Sequence, residues 1–335
     1  MMMRVVIPTL LGAVLLAPLP AQAVTTCSAE MTDVTFGSSD PFTGWSDVSA
    51  TINYECGTGT VSVAGIVRTK LCFSIGSGSH GAGTILPRRM TSEGNELQFN
   101  LYQDSAYSQV WPDTLVGSER IEVDLSYTIV LLGGQGSGSV TVYGRVGPGQ
   151  TGVVPGSYSN NFSGLDVQMQ YKANQPIVVG VTPWPESCTE TGLNSGTDNF
   201  PFTATATVEA ACNPSFAVED LDFGTQGLLN AAIDTTAVVA PQCTNTTPYQ
   251  VGLDNGQHAV GNTRRMHNGT GRYVEYELYR DAARTQRWGD TLNTDTLADT
   301  GTGSAQAQPI YGRVAPQITP SQGTYSDTVT VTIYY

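Results

Sequence analysis

The chain has 335 residues, and its 15 Lys and Arg stand against 29 Asp and Glu, a formal net charge of −14 that excludes nucleic acid as a partner. With 37 glycines, 18 prolines and 13% charged residues, and no long run holding an apolar period of about 3.6 residues, the composition excludes a helical fold and describes short strands joined by many turns. The length exceeds that of one ordinary sandwich, so an all-β chain of two domains is expected.

The first element in chain order is an export signal. Met1 to Arg4 makes a short positive start, Val5 to Pro18 is largely apolar, and Ala21-Gln22-Ala23 has the small-residue pattern after which signal peptidase cuts. The apolar run is shorter than the roughly 20 residues a membrane-spanning helix needs, and it carries prolines. Residues 1–23 are therefore read as a signal peptide of an exported protein whose mature chain starts at Val24. Strand-like alternation follows in Ser139 to Tyr143, Leu165 to Tyr171, Phe202 to Val208 and Thr328 to Tyr335.

The same pattern occurs twice, in the same order. "CSAEMTDVTFG" from Cys27 is echoed by "CNPSFAVEDLDFG" from Cys212, "PRRM" by "TRRM", "LYQD" by "LYRD", "VYGRV" by "IYGRV" and "VPGSYS" by "SQGTYS". The offset drifts from 187 at Phe36 and Phe223 to 167 at Tyr158 and Tyr325, which is the mark of duplicated domains with differently placed loop insertions. The boundary is expected near Asn199, giving domains 24–199 and 200–335. Because Cys27 and Cys56 occupy the places of Cys212 and Cys243, one bridge is expected within each domain, leaving Cys72 and Cys188 for a third. A loop of the repeated size is worth about 3–4 kcal/mol in the chain-entropy model. No close Cys-Cys pair or neighbouring histidine makes a metal spacing.

Catalytic chemistry is not in evidence. His80, His258 and His267 lie in no metal-ligand or nucleophile motif, and His80 and His258 sit in loop-like stretches read as solvent-exposed. The runs "GSGSHGAG" and "GGQGSGS" lack the Gly-Lys-Ser/Thr ending of a phosphate loop and read as hairpin connections. Neither an enzyme nor a cofactor is expected. Arg88-Arg89 and Arg264-Arg265, like Tyr143, Tyr158, Tyr311 and Tyr325, recur in both halves and are assigned to the framework.

Taken together, Cys, Phe-Gly, a second Cys, Arg-Arg-Met, Leu-Tyr-x-Asp, Trp-x-Asp, Tyr-Gly-Arg and the closing "GTYSDTVTVT" resemble the spore coat protein U domain, found in subunits of archaic (Csu-type) chaperone-usher pili. The second half follows the family pattern almost throughout. The first half departs from it after "YGRV", with "NNFSGLDVQMQY" and the added Lys172 to Asn199. The resemblance implies two immunoglobulin-like β-sandwiches, an N-terminal adhesin domain and a C-terminal pilin domain. The pilin domain would lack its last strand and be completed by donor-strand insertion beside the run Val329, Val331 and Ile333. It further implies as partners a periplasmic chaperone, an outer-membrane usher, an adjacent pilin subunit that donates the strand, and an abiotic or host surface on which biofilm forms. Only Val24 to Thr26 precede Cys27 in the expected mature chain, too few for a donor strand of roughly ten residues, so the expected place is the pilus tip.

Phe202, Ala204, Ala206 and Val208 alternate with Thr203, Thr205 and Thr207 like a donor extension. The run either closes domain one in cis or opens domain two; its closeness to Cys212 favours the second. For surface binding, three stretches particular to the first half are candidates: Phe42 and Trp45; Leu115 and Val116; and Ile177, Val178, Val179, Val181 and Trp184, stiffened by prolines and anchored by Cys188. The rival for the last is a strand from Ile177 to Val181 covering the core. Trp111 has a partner in Trp288 and belongs to the core. Besides the tip adhesin, a structural minor pilin that initiates assembly and a lectin stacking a sugar on Trp45 or Trp184 stay open.

Overall fold

The structure, a computed structural model, describes residues 23–44, 47–60, 63–80, 83–111 and 120–335. Trp45, Leu115, Val116 and all of the expected signal peptide except Ala23 lie outside them. The first sandwich contains β1 (Thr25–Met31), β2 (Val34–Ser39), β3 (Val48–Thr58), β4 (Gly65–Ile75), β5 (Arg88–Ser92), β6 (Asn95–Tyr102), β7 (Ile121–Ile129), β8 (Gly134–Val146), β9 (Gly156–Phe162), β10 (Val167–Asn174), β11 (Gly180–Val181), β12 (Ser195–Asp198) and β13 (Phe202–Val208). One sheet runs β1-β3-β8-β6-β5-β9-β13-β2. In the facing sheet β4 lies between β7 and β10, with β12 outside β10 and the short β11 beside the start of β4.

Alternation accounts for the layers. In β3, Ala50, Ile52, Tyr54 and Cys56 point inward while Ser49, Asn53 and Glu55 face solvent. Ile52, Leu71, Phe73, Phe99 and Trp111 meet between the sheets, fully buried. The second sandwich repeats the plan with β14 (Ala217–Val218), β15 (Ile233–Ala240), β16 (Pro248–Leu253), β17 (Arg264–His267), β18 (Tyr273–Tyr279), β19 (Leu297–Thr300), β20 (Gln308–Val314) and β21 (Val331–Tyr334), in sheets β14-β15-β20-β18-β17 and β19-β16-β21. All three expected disulfides are present: Cys27–Cys56, Cys212–Cys243 and Cys72–Cys188.

The two halves share their tryptophan anchor. Trp111 Nε1 donates to the Phe73 carbonyl at 3.0 Å, and Trp288 Nε1 donates to the Val251 carbonyl at 2.8 Å. Trp288→Ala is expected to cost about 3–5 kcal/mol through the cavity it leaves, read as a lower urea midpoint at unchanged slope for the second sandwich.

One assignment is corrected. Phe202–Val208 belongs to the first sandwich: β13 pairs antiparallel with β9 from Phe202↔Phe162 to Val208↔Gly156 and parallel with β2 from Ala204↔Val34 to Val208↔Ser39. Phe200, Phe202, Ala204, Ala206 and Val208 are all buried in the first core, and the second core begins at Cys212. Closeness to Cys212 misled because Glu209 to Ala211 is enough chain to pass between domains. A slot that buries four alternate apolar side chains and pairs both strand edges outweighs proximity in sequence.

The second sandwich buries two tyrosines whose ionisation the fold opposes. Burial, and then the nearby Asp299 carboxylate, push the Tyr249 phenol up to about 12. Tyr276 is pushed up as well, by burial and by its hydrogen bond to Asp327. The neutral forms are the ones favoured in the fold, so the Tyr249 contribution is complete below the ordinary tyrosine value of 10.0 and is lost as pH rises from there through about 12, while that of Tyr276 persists to higher pH. Thermal melts are expected to fall steeply across that interval, and Tyr249→Phe to make the fall shallower.

Candidate functional site

The repeat allows the two sandwiches to be superposed residue by residue. Arg88 and Arg264 are both fully buried. The Arg88 guanidinium donates to the carbonyls of Gly76, Ile75 and Trp111 and to Asn100 Oδ1; that of Arg264 donates to the carbonyls of Asp254, Leu253 and Trp288 and to the Glu277 carboxylate. The same bond set at both places fixes the alignment and confirms the first Arg of each pair as framework. His258, expected in solvent, instead bonds Asp327 at 3.0 Å and packs against the His267 ring, centroids 4.9 Å apart.

On that alignment, what differs is the slot filled by β13. In the first sandwich Val34, Phe36, Met90, Tyr158 and Phe162 line it and are at most 2% exposed, with Phe202 stacked on Phe162 at 4.5 Å. Their counterparts Leu221, Phe223, Met266, Tyr325 and Val329 are only half-buried. The flanking segments also correspond. Ser326 makes one bridge to His267, as Ser159 does to Thr91, but among the described residues no strand pairs with the other edge of 323–330. Residues 221–226, the counterpart of β2, carry no strand pairing either. A groove thus stands open between segments that β13 bridges in the first sandwich.

The expected groove strand Val329, Val331 and Ile333 does not lie in one sheet. Val329 faces the groove, whereas Val331 and Ile333 belong to β21, pairing with Leu253 and Val251 of β16. The chain passes from segment 323–330 into β21 at Thr330, whose N–H donates to Asp254 Oδ1 at 2.8 Å and whose carbonyl accepts the Asp254 N–H at 3.0 Å.

A second surface lies at the far pole of the first sandwich. The start of β4 there meets the end of β7 (Gly65↔Ile129) and β11 (Gly65↔Gly180), and the end of β3 meets the start of β8 (Thr58↔Gly134). Ile177, Val178, Val179 and Val181 are exposed at this pole, 58–84%, so they are not the core-covering strand of the rival reading. Their loop is held at its base. Thr182 Oγ1 donates to the Ile66 carbonyl, Asn174 Nδ2 donates to the Pro183 carbonyl, Arg68 lies over the Trp184 ring at 5.0 Å, and Cys188 is bridged to Cys72.

Beside it stands a hairpin the sequence reasoning missed. Val130 and Gly133 exchange backbone hydrogen bonds, leaving Leu131 and Leu132 at the tip, 72% and 80% exposed. Gly133, at φ 93°, supplies the left-handed turn residue. The available signal was an apolar run, Ile129 to Leu132, continuing past its strand into Gly133-Gly134. Leu193 and Val24 add further exposed apolar surface at this pole.

Phe42 is not part of it. Half-buried, it follows Ser39, which pairs with Val208 at the pole where the chain leaves for the second sandwich. There the Gly303 backbone lies against Gly152. The Trp45 and the Leu115 and Val116 candidates lie outside the described residues.

Two sandwiches on one repeated plan, the first closed by a strand of its own chain and the second lacking a strand at the same place among the described residues, define a duplicated β-sandwich protein. The Spore Coat Protein U domain matches residues 13–163 and 198–332, and the chain belongs to that family. It is 34% identical over 128 residues to Protein U of Myxococcus xanthus, an alignment covering 34% of this chain and 71% of that protein.

Among solved structures, the chain is similar to that of the CsuC–CsuE chaperone–tip adhesion subunit pre-assembly complex from archaic chaperone-usher Csu pili of Acinetobacter baumannii. The identity is 19%, the coverage 92% of this chain and 100% of that one, and the TM-score 0.48. For the CupB6 tip adhesin from Pseudomonas aeruginosa the identity is 10%, the coverage 93% and 96%, and the TM-score 0.34. Overlaps this loose do not carry a function from one chain to another.

Proposed function

We propose that this protein is the tip subunit of an archaic chaperone-usher pilus, adhesive through the apolar far pole of its first sandwich. The observation that carries the proposal is the placement of two unlike surfaces at separate places in one chain: an open strand groove in the second sandwich and a cluster of exposed aliphatic loops at the pole remote from it. The run resembling a donor extension, Phe202–Val208, is occupied inside the first sandwich and is not available to another subunit. The chain accordingly accepts a strand and has its own donor-like strand committed in cis. That combination suits a fibre end.

On this reading residues 1–23 direct export and a periplasmic chaperone shields the groove until the outer-membrane usher passes the subunit on. The extension of the adjacent pilin then fills the groove by main-chain pairing and alternate apolar insertion. The first sandwich, with its closing strand, is the adhesin domain, the second is the pilin domain, and the far pole attaches to abiotic or host surfaces during biofilm formation. Exposed aliphatic side chains on stiffened loops lose little entropy on contact and need no specific receptor. Immunogold microscopy with antibody against the first sandwich is expected to label single fibre ends; label along the shaft would overturn the proposal.

A further inference from the structure

We infer that Asp327 positions the open edge of the second sandwich for strand uptake, an inference that rests on the groove reading above. Segment 323–330 has to keep its place with, among the described residues, no strand along the edge away from β17. Its counterpart β9 is held by β13 along its whole length. In the second sandwich a carboxylate supplies the hold. Asp327 points inward between Tyr325 and Val329, its side chain 1% exposed. It accepts hydrogen bonds from the Gln257 N–H at 3.0 Å, His258 Nδ1 at 3.0 Å and the Tyr276 hydroxyl at 2.9 Å. These donors tie the segment to the 254–258 loop and to β18 at once, and bonds to a carboxylate are stronger than those between neutral groups.

The first sandwich has the same device in neutral form. Asn160 takes the place of Asp327, Ser79 that of Gln257 and Phe99 that of Tyr276; Asn160 Nδ2 donates to the carbonyls of Ser77 and Arg89, and its Oδ1 accepts from Ser79 Oγ. Both loops keep a left-handed glycine over the inserted side chain, Gly78 at φ 75° and Gly256 at φ 78°, where a Cβ would collide with it. The geometry for reaching under the loop is thus common to both halves. Of the two, the charged and more heavily donated version is the one whose segment, among the described residues, has no strand along the edge away from β17.

The test uses the full chain and a labelled synthetic peptide of residues 201–210, PFTATATVEA, as the incoming strand. Uptake by the wild type is expected; its absence would overturn the groove reading and this inference with it. Asp327→Ala is expected to slow uptake about tenfold or more, with faster hydrogen exchange at the 325–330 amides before binding. Once the peptide is in place, exchange and peptide release should match the wild type, because the added strand then holds the segment. Normal uptake by the Ala variant, or an exchange defect that persists in the complex, would overturn the positioning role. Asp327→Asn, which retains the acceptor and restores the first sandwich's residue, is expected to be slowed by only a few-fold. Should the Ala variant fail to fold, an Asn variant taking up peptide at the wild-type rate overturns the inference.

Discussion

Ala204→Asp is expected to unfold the first sandwich while leaving the second intact. Ala204 is completely buried, opposite Val34 on one side and Asn160 on the other. An unpaired carboxylate there costs about 3–5 kcal/mol, and the larger side chain adds about 1–3 kcal/mol of overpacking. Against a typical domain stability of about 5–15 kcal/mol, that removes most of the margin. Thr207→Asp is the control: it lies on the same strand but is exposed, and is expected to stay within about 0.5 kcal/mol of wild type. Limited proteolysis followed by mass spectrometry separates the outcomes. New cuts confined to residues 24–208, with 212–335 resistant, are expected for Ala204→Asp. Wild-type resistance throughout would mean that β13 contributes nothing to closing the first core.

Replacing Leu131, Leu132, Val178 and Val179 together by Ser is expected to abolish most attachment to plastic while fibre number stays constant. All four side chains are exposed, so their loss should hardly change folding. Each is worth roughly 1.5–3 kcal/mol when fully buried against a surface, and partial contact by four of them supports a drop in attachment of at least about tenfold. Phe42→Ser, at the pole facing the second sandwich, is expected to leave attachment unchanged. Fibres are counted by electron microscopy and attachment by retained cells. Normal attachment with normal fibres would sink the adhesive assignment, and a fall in fibre number instead would make the chain a structural initiator of assembly.

The repeat shows how much of this protein is local. Phe36 and Phe223, Arg88 and Arg264, Trp111 and Trp288, and the cysteine pairs correspond because each position keeps its residue type, so the all-β plan, the duplication and the bridges could be read from order and spacing. The candidate surfaces were legible only in part. Ile177 to Val181 announced itself by apolar residues among prolines. The Leu131-Leu132 tip did not, because an apolar run that ends a strand and one that passes beyond it look alike until the turn is placed.

By itself, then, the sequence determined the strand-rich class, the two related halves, the three disulfides and the buried arginine and tryptophan frameworks. These depend on alternation, composition and residue identity at matched positions. Only the tertiary structure decided that Phe202–Val208 closes the first sandwich, that Val331 pairs with β16 while Val329 stays outside any strand, and that the Ile177 loop shares a pole with Leu131 and not with Phe42. Those facts depend on which edges are free in three dimensions. An alternating strand carries the same signal whichever bare edge it joins, and what selects among them is the slot that buries its apolar face and pairs both its sides.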